Sequence, residues 1–298
     1  MRLRDLARQT LLHVADPFSY AQADDRRRCP AADSVRAVRR ALLFDLDDTL
    51  MVEESAAAAA FGAAADLASE RCNIDRGALA SGARSRAREL WYAAPTHGYC
   101  MRVGISSWEG LWCRFEGEGS DVRALREWSP TYRREAWRLA LVDQGVDDAG
   151  LAEELAERFP AERRARHEVF AEVPGALCRL AESYSMALVT NGAACLQREK
   201  LAASGLSEHF ETVVVSADLG VAKPDPSVFE HALSGLGSRK DLAVMVGDSI
   251  PKDVDGALAA GLSAVWVNRH GSSSATPRDD LVEISTLGEL PDLLDRLG

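Results

Sequence analysis

Asp45 and Asp47 stand one residue apart at the end of the apolar run that opens Ala41 to Leu50 (ALLFDLDDTL), and they are the side chains best placed to do chemistry. Successive side chains alternate along a strand, so both carboxylates face one side and Leu46 the other. Two carboxylates that close repel and cost stability unless a cation, a proton or a ring of donors compensates them. The pair points to a site. Its ordinary counterpart is a solvated acidic turn after a strand, with Asp48 or Thr49 capping the helix that follows.

Three further stretches set complementary groups after apolar runs. Thr190-Asn191-Gly192 offers a hydroxyl, an amide and a glycine whose bare backbone can approach an anion. Lys223 precedes Pro224-Asp225-Pro226, a proline-started helix. Gly247-Asp248-Ser249-Ile250-Pro251-Lys252-Asp253 carries two acids five apart on a turn entering a helix. Lys223 is one of four lysines (Lys200, Lys223, Lys240 and Lys252) among 35 basic residues. Where Arg serves almost everywhere, a Lys can mark a place that needs a compact ammonium. Singly, these groups read as a turn, a surface residue and a helix cap; jointly, each at a strand end, they read as one site.

The elements that must position them follow from periodicity. Strands are predicted at Ala41–Leu46, Met186–Thr190, Thr212–Ser216, Leu242–Val246 and Ala264–Asn268. They alternate with helices at Pro174–Ser183, Leu196–Ser204, Pro226–Leu236, Val254–Ala260 and Leu287–Leu297. That alternation predicts an α/β fold, a Rossmann-like parallel sheet covered on both faces, with ligands at the carboxyl ends of the strands. Between Glu53 and Phe170 the chain is rich in Ala, Arg and Glu, with helices predicted over Glu53–Arg71, Arg76–Tyr92, Ser106–Phe115, Asp121–Trp137 and Asp147–Arg166 and no strand. Five of the six Trp lie in or beside this block, and Trp108 and Trp112, four apart, predict helix–helix packing on one face.

Composition bounds the function. The chain has 298 residues, 47% hydrophobic and 27% charged, as soluble globular proteins do. No apolar run approaches the roughly 20 residues that cross a bilayer. Net charge is −11, split between +4 over residues 1–40 and −15 over the rest. An acidic body argues against nucleic-acid binding, and an anionic ligand would need local positive charge or a metal. Six scattered cysteines without a C-x-x-C pair suit free thiols in a reducing cytoplasm rather than a zinc or disulfide framework. A short helix over Arg4–Val14 followed by a solvated linker makes residues 1–39 a poorly ordered extension.

With these residues in order, the sequence resembles a haloacid dehalogenase superfamily phosphohydrolase over about residues 40–270. The resemblance rests on Asp45-Leu46-Asp47-Asp48-Thr49, Thr190-Asn191-Gly192, Lys223-Pro224-Asp225-Pro226 and Gly247-Asp248-Ser249-Ile250-Pro251-Lys252-Asp253, all four motifs in the expected order. Gln197-Arg198-Glu199-Lys200, Val246-Gly247-Asp248 and Val265-Trp266-Val267-Asn268 are similar to the N-acylneuraminate-9-phosphatase and pyrimidine-nucleotidase group. The resemblance implies a core at 40–54 and 171–298, with residues 55–170 as an inserted, all-helical C1-type cap.

It further implies a Mg²⁺-dependent phosphomonoester hydrolase working through an aspartyl-phosphate. Asp45 would be the nucleophile, and Asp47 the acid that protonates the leaving oxygen and then activates water. Asp45, the Asp47 carbonyl, Asp248 and Asp253 would hold the metal. Thr190, Asn191, Gly192, Lys223 and the backbone near Leu46 would bind the phosphoryl oxygens. Arg102, Ser106, Ser107, Trp108 and Arg133, with His97-Gly98-Tyr99 as a loop, are candidates to touch substrate from the cap. The substrate is then a small phosphate ester, a sugar phosphate or nucleoside monophosphate, turned over in the cytoplasm by a monomer or homodimer without nucleic-acid or membrane partners. A dehalogenase would need no proton donor at Asp47, since halide leaves unprotonated. A phosphomutase shares all four motifs, whereas a non-catalytic binding regulator would suit a broken motif, and none is broken.

Overall fold

The computed structural model describes residues 40–271 and 281–297. The predicted extension and its helix over Arg4–Val14 lie outside them. β1 (Ala41–Phe44) is buried along its whole length. Later come β4 (Ser185–Thr190), β5 (Thr212–Val215), β6 (Ala243–Gly247), β7 (Ser263–Val267) and β8 (Val282–Ile284). They form one parallel sheet in the order β5-β4-β1-β6-β7-β8, an α/β fold. The order reverses at β1, which pairs Leu43 with Ala187 on one side and with Met245 on the other. Brought together there, the carboxyl ends of β1, β4 and β6 form the crevice where such sheets bind ligands.

Period-2 alternation covers both faces of the sheet. Leu42, Phe44, Leu188 and Val246 pack with Val173 and Leu177 of α7 (Val173–Ala181) and with Leu290 and Leu294 of α12 (Leu290–Leu297). Ala41, Leu43, Val189 and Met245 face the other way, against α10 (Pro226–Leu236) and α11 (Asp255–Ala260). Strands buried on both sides read as unbroken apolar runs, which made them visible in the sequence.

The chain leaves the sheet through β2 (Met51–Val52), which pairs antiparallel with β3 (Glu168–Val169) where the chain returns. Between them lie α1 (Glu54–Ser69), α2 (Arg76–Trp91), α3 (His97–Val103), α4 (Ser107–Gly110), α5 (Ser120–Val142) and α6 (Ala149–Arg164), packed around Phe61, Trp91, Trp112, Trp137 and Phe159. α8 (Ala194–Ser204) follows β4, and α9 (Ser216–Leu219) follows β5.

Several predicted elements differ in detail. β2, β3 and β8 were not predicted; at two or three residues they are too short to show alternation, and Glu168 and Glu283 interrupt them. His97–Val103 is a helix rather than a loop, closed by Gly104 in the left-handed region at φ 75°. The predicted helix over Ser106–Phe115 ends at Gly110 and runs on as a turn, the Cys113 N–H donating to the Glu109 carbonyl at 2.8 Å; Trp112 is buried in the block's core and Trp108 is half-buried. A Cβ on Gly110 would fall 2.3 Å from the Trp91 ring, so the indole occupies the space a side chain would need.

Candidate active site

The turn after β1 separates its four polar residues by role. Asp48 adopts a left-handed φ of 56°. Its Oδ1 accepts from the N–H groups of Glu53 (2.9 Å) and Glu54 (3.1 Å), tying down the start of α1. Thr49 Oγ1 accepts from the N–H of Asp248 at 3.0 Å and clamps the β1 and β6 turns together. Asp45 and Asp47, together with Asp48, line a cavity of about 230 Å³ that is also lined by Thr190, Asn191, Lys223, Asp248 and Asp253. All of the predicted acids, the hydroxyl and the ammonium therefore meet in one place.

Lys223 is buried. Its Nζ donates to Asp45 Oδ1 at 2.6 Å and to the Val189 carbonyl at 2.7 Å, and lies 2.7 Å from Asp253 Oδ1. Asn191 braces the same residue, accepting from the Lys223 N–H (2.9 Å) and donating to its carbonyl (3.0 Å). Asp45, Asp248 and Asp253 offer carboxylate oxygens all within 4.8 Å of one another. Burial first, then neighbouring carboxylates, raise Asp45 and push Asp248 up to about 8. Three acids with one ammonium are short of positive charge, and an all-oxygen donor set suits a hard divalent cation. Asp45, Asp248 and Asp253 could hold one.

Gly247 permits that arrangement. A Cβ there would fall 2.4 Å from Asp253 Cγ, because Asp253 folds back beneath the end of β6 from a π-helical turn over Ile250–Val254. Gly247→Ala is expected to displace Asp253 and weaken divalent-cation binding about ten- to a hundredfold, read by titration calorimetry.

Asp47 sits in a second network. Lys200 Nζ lies 3.0 Å from both of its carboxylate oxygens, and Gln197 Nε2 is 3.2 Å from Oδ2. The same Nε2 donates to Glu109 Oε1 at 3.0 Å and to the Asn191 carbonyl at 2.9 Å, so α4 in the helical block is joined to α8 beside the sheet. Glu53 Oε2, 3.2 Å from Lys200, also takes a buried ion pair from Arg163 of α6. Burial pushes Asp47 up to about 6 against the opposing charge of Lys200, and pushes Glu109 up to about 7. Burial opposes the charge on Lys200, but Asp47 and Glu53 outweigh it and raise its pKa.

The remaining predicted residues are placed unevenly. Ser106 and Trp108 line the cavity. Arg102 Nε donates to the Gly220 carbonyl at 3.1 Å, Arg133 Nε to the Gly110 carbonyl at 3.2 Å, and the Ser107 carbonyl accepts from Tyr132; these three are outside the lining. The Gly192 N–H donates to Ser216 Oγ at 2.9 Å, inside the protein, and a Cβ on Gly192 would fall 2.4 Å from Gln197 Nε2. The glycine thus makes room for the Gln197 bridge. Leu46 buries its side chain under the sheet while its N–H bonds the Asp45 carboxylate. Glu53, Glu109, Gln197, Lys200 and Lys252 are site groups to which sequence reasoning gave no role, although the scarcity of Lys singled out two of them.

Comparison with known proteins gives a consistent set of likenesses. A family model described as haloacid dehalogenase-like hydrolase matches residues 39–261. A phosphoserine phosphatase from Thermus thermophilus is 37% identical, over 76% of this chain and 88% of its own length. The rat N-acylneuraminate-9-phosphatase is 34% identical over 55% of this chain and 68% of its own. Among solved structures, a HAD phosphatase from Thermococcus onnurineus has a TM-score of 0.52 at 27% identity, covering 86% of this chain and 97% of that one.

Proposed function

The chain belongs to the haloacid dehalogenase-like hydrolases as a member of phosphatase type, and from that premise we propose that it hydrolyses the phosphate monoester of a small alcohol through a phosphorylated Asp45. The observation that carries this reading is the placing of two carboxyls side by side on one turn, each against its own ammonium. Asp45 is fixed by Lys223 Nζ at 2.6 Å, while Asp47 stands beside it with a carboxyl near 6.

Asp45 attacks phosphorus, and the leaving oxygen takes the proton held on Asp47 Oδ; a carboxyl near 6 is partly protonated close to neutrality. Asp47, now ionised, accepts the proton of the water that hydrolyses the acyl phosphate. Lys223 and the buried Thr190 hydroxyl hold the transferring oxygens. Mg²⁺ bound by Asp45, Asp248, Asp253 and the Asp47 carbonyl would offset the repulsion between an anionic nucleophile and an anionic phosphate. In this reading residues 40–54 and 171–298 are the core, and 55–170 are a cap that brings Ser106 and Trp108 over the substrate and excludes water.

A cavity of about 230 Å³ favours a small ester, and O-phosphoserine is the first candidate, since the phosphoserine phosphatase relative matches most of both chains. The described cysteines are all free thiols, in keeping with a cytoplasmic enzyme. Inorganic phosphate released from a panel of O-phosphoserine, triose phosphates, nucleoside monophosphates and sialic acid 9-phosphate, with and without Mg²⁺, tests the proposal. Mg²⁺-dependent release that is strongest for the smallest esters is expected. Release that is indifferent to chelation, or phosphate returned to the product at another position, would overturn it.

A further inference from the structure

Cys113 and Cys195 lie 82 positions apart, yet their Sγ atoms are 3.6 Å from each other. Cys113 is buried in the core of the helical block, just after α4. Cys195 is in the first turn of α8 and half-buried. It opens onto a second cavity, about 690 Å³, lined by Tyr99, Phe115 and Val122 of the block and by Ala193 and Ala217 from beside the sheet. One sulfur is thus reachable by a small solute, and the other waits behind it.

We propose that Cys113 and Cys195 are an oxidation site at which a hydroperoxide drives formation of a reversible disulfide between the helical block and α8. The geometry requires little: the sulfurs must close from 3.6 Å to about 2.05 Å, a change side-chain rotation can supply. The two thiols are also polarised in opposite senses. The hydrogen bond from Cys113 pushes Cys195 down to about 7, with help from the Phe115 and Glu116 N–H groups, while burial pushes Cys113 well up. Cys195 is accordingly the thiolate that reacts first.

The Cys195 thiolate attacks one oxygen of hydrogen peroxide; the O–O bond breaks, a sulfenic acid forms and hydroxide leaves, taking up a proton to become water. The Cys113 sulfur then attacks the sulfenic sulfur, the S–S bond forms and a second water departs with the Cys113 proton. Two thiols and one peroxide give one disulfide and two waters; sulfur is oxidised and peroxide reduced. A dithiol returns the pair to its starting state by exchange.

The bond would tether two segments that hold the general acid. Cys195 precedes Gln197 and Lys200 on α8, and Cys113 follows Glu109, the acceptor of the Gln197 bridge. If the block must move to admit ester and release product, a step that rests on the proposed cap function, the tether slows turnover.

Peptide mapping of the full-length protein decides the pairing. After brief hydrogen peroxide treatment, alkylation and non-reducing digestion, the peptides bearing Cys113 and Cys195 are expected as one cross-linked species that dithiothreitol separates. Cys195 carried to sulfinic acid with Cys113 still alkylated would overturn the proposal, as would pairing with the exposed Cys178. Mapping needs no activity, so it stands even if no phosphatase activity is found. In active enzyme, turnover is expected to fall about tenfold with cross-linking and recover with dithiothreitol, and Cys195→Ser is expected to resist the loss. Full turnover in completely cross-linked protein would overturn the coupling to the site. If Cys195→Ser does not fold, wild-type mapping decides alone.

Discussion

Asp45→Asn is expected to lower phosphate release by at least about a thousandfold without loss of folded structure. The amide has nearly the carboxylate's shape but cannot form an acyl phosphate, and it removes the negative charge that meets phosphorus. Lys223 keeps its bond to the Val189 carbonyl and its contact with Asp253, so the ammonium stays in place. In the absence of metal, burial raises Asp45 against the opposing charge of Lys223, and the charge of Asp253 raises it further, so the ionised carboxylate is costly to the fold there. The variant is therefore expected to unfold at the same temperature as the native protein or slightly higher in chelator, while releasing almost no phosphate in Mg²⁺. A large loss of thermal stability would mean that Asp45 serves chiefly to hold the fold.

Lys200→Met is the substitution expected to cost the fold most. Lys200 is fully buried and is the only described cation within bonding distance of Asp47. It also stands 3.2 Å from Glu53, which shares it with Arg163. Removing one partner from a buried charge cluster leaves the others uncompensated, at about 3–5 kcal/mol. The midpoint of thermal unfolding is then expected to fall by roughly 10 °C.

The loss should depend on pH. Burial opposes ionisation of Glu53, but Lys200 and Arg163 together lower its pKa below the ordinary 4.5, so its contribution is present above that pH and disappears as pH falls through the folded value. Asp47 titrates near 6 because burial outweighs Lys200, and the variant would raise it further. The gap between native and variant stability is therefore expected to be widest above pH 6. It narrows on acidification, first as Asp47 takes a proton and then as Glu53 does. Thermal melts at pH 5 and pH 7.5 measure it; a gap that widens in acid would contradict the assignment.

What could be read from the sequence and what could not divide along physical lines. Asp45, Thr190, Asp248 and Asp253 were legible because each lies at or just beyond the end of a buried strand, and strands buried on both faces print themselves as apolar runs; Lys223 follows the partly exposed edge strand β5 and stood out by the scarcity of Lys. Asp48 ties the start of the next helix, as its ordinary reading expects, while Asp45 and Asp47 from the same turn both line the cavity. Gln197 and Lys200 stood out in the sequence, by a resemblance and by the scarcity of Lys, but without a role, because only folding shows that these polar positions of α8 point inward. Glu109 was hidden by its other role, since Ser106-x-x-Glu109 is a capping box and explains the residue without any site. Arg102 and Arg133 show what the sequence leaves open: each spends its Nε on a carbonyl of the protein and stands outside the cavity lining.

A phosphoryl group carried covalently on Asp45 can be trapped. Native enzyme mixed with O-phosphoserine and Mg²⁺, quenched in acid within milliseconds and digested at low pH, should yield the Ala41–Leu50 peptide heavier by one phosphoryl group, with the label on Asp45, lost in hydroxylamine and missing from Asp45→Asn. An ester that is hydrolysed rapidly while that peptide stays unmodified at every quench time would mean that phosphoryl transfer does not pass through Asp45.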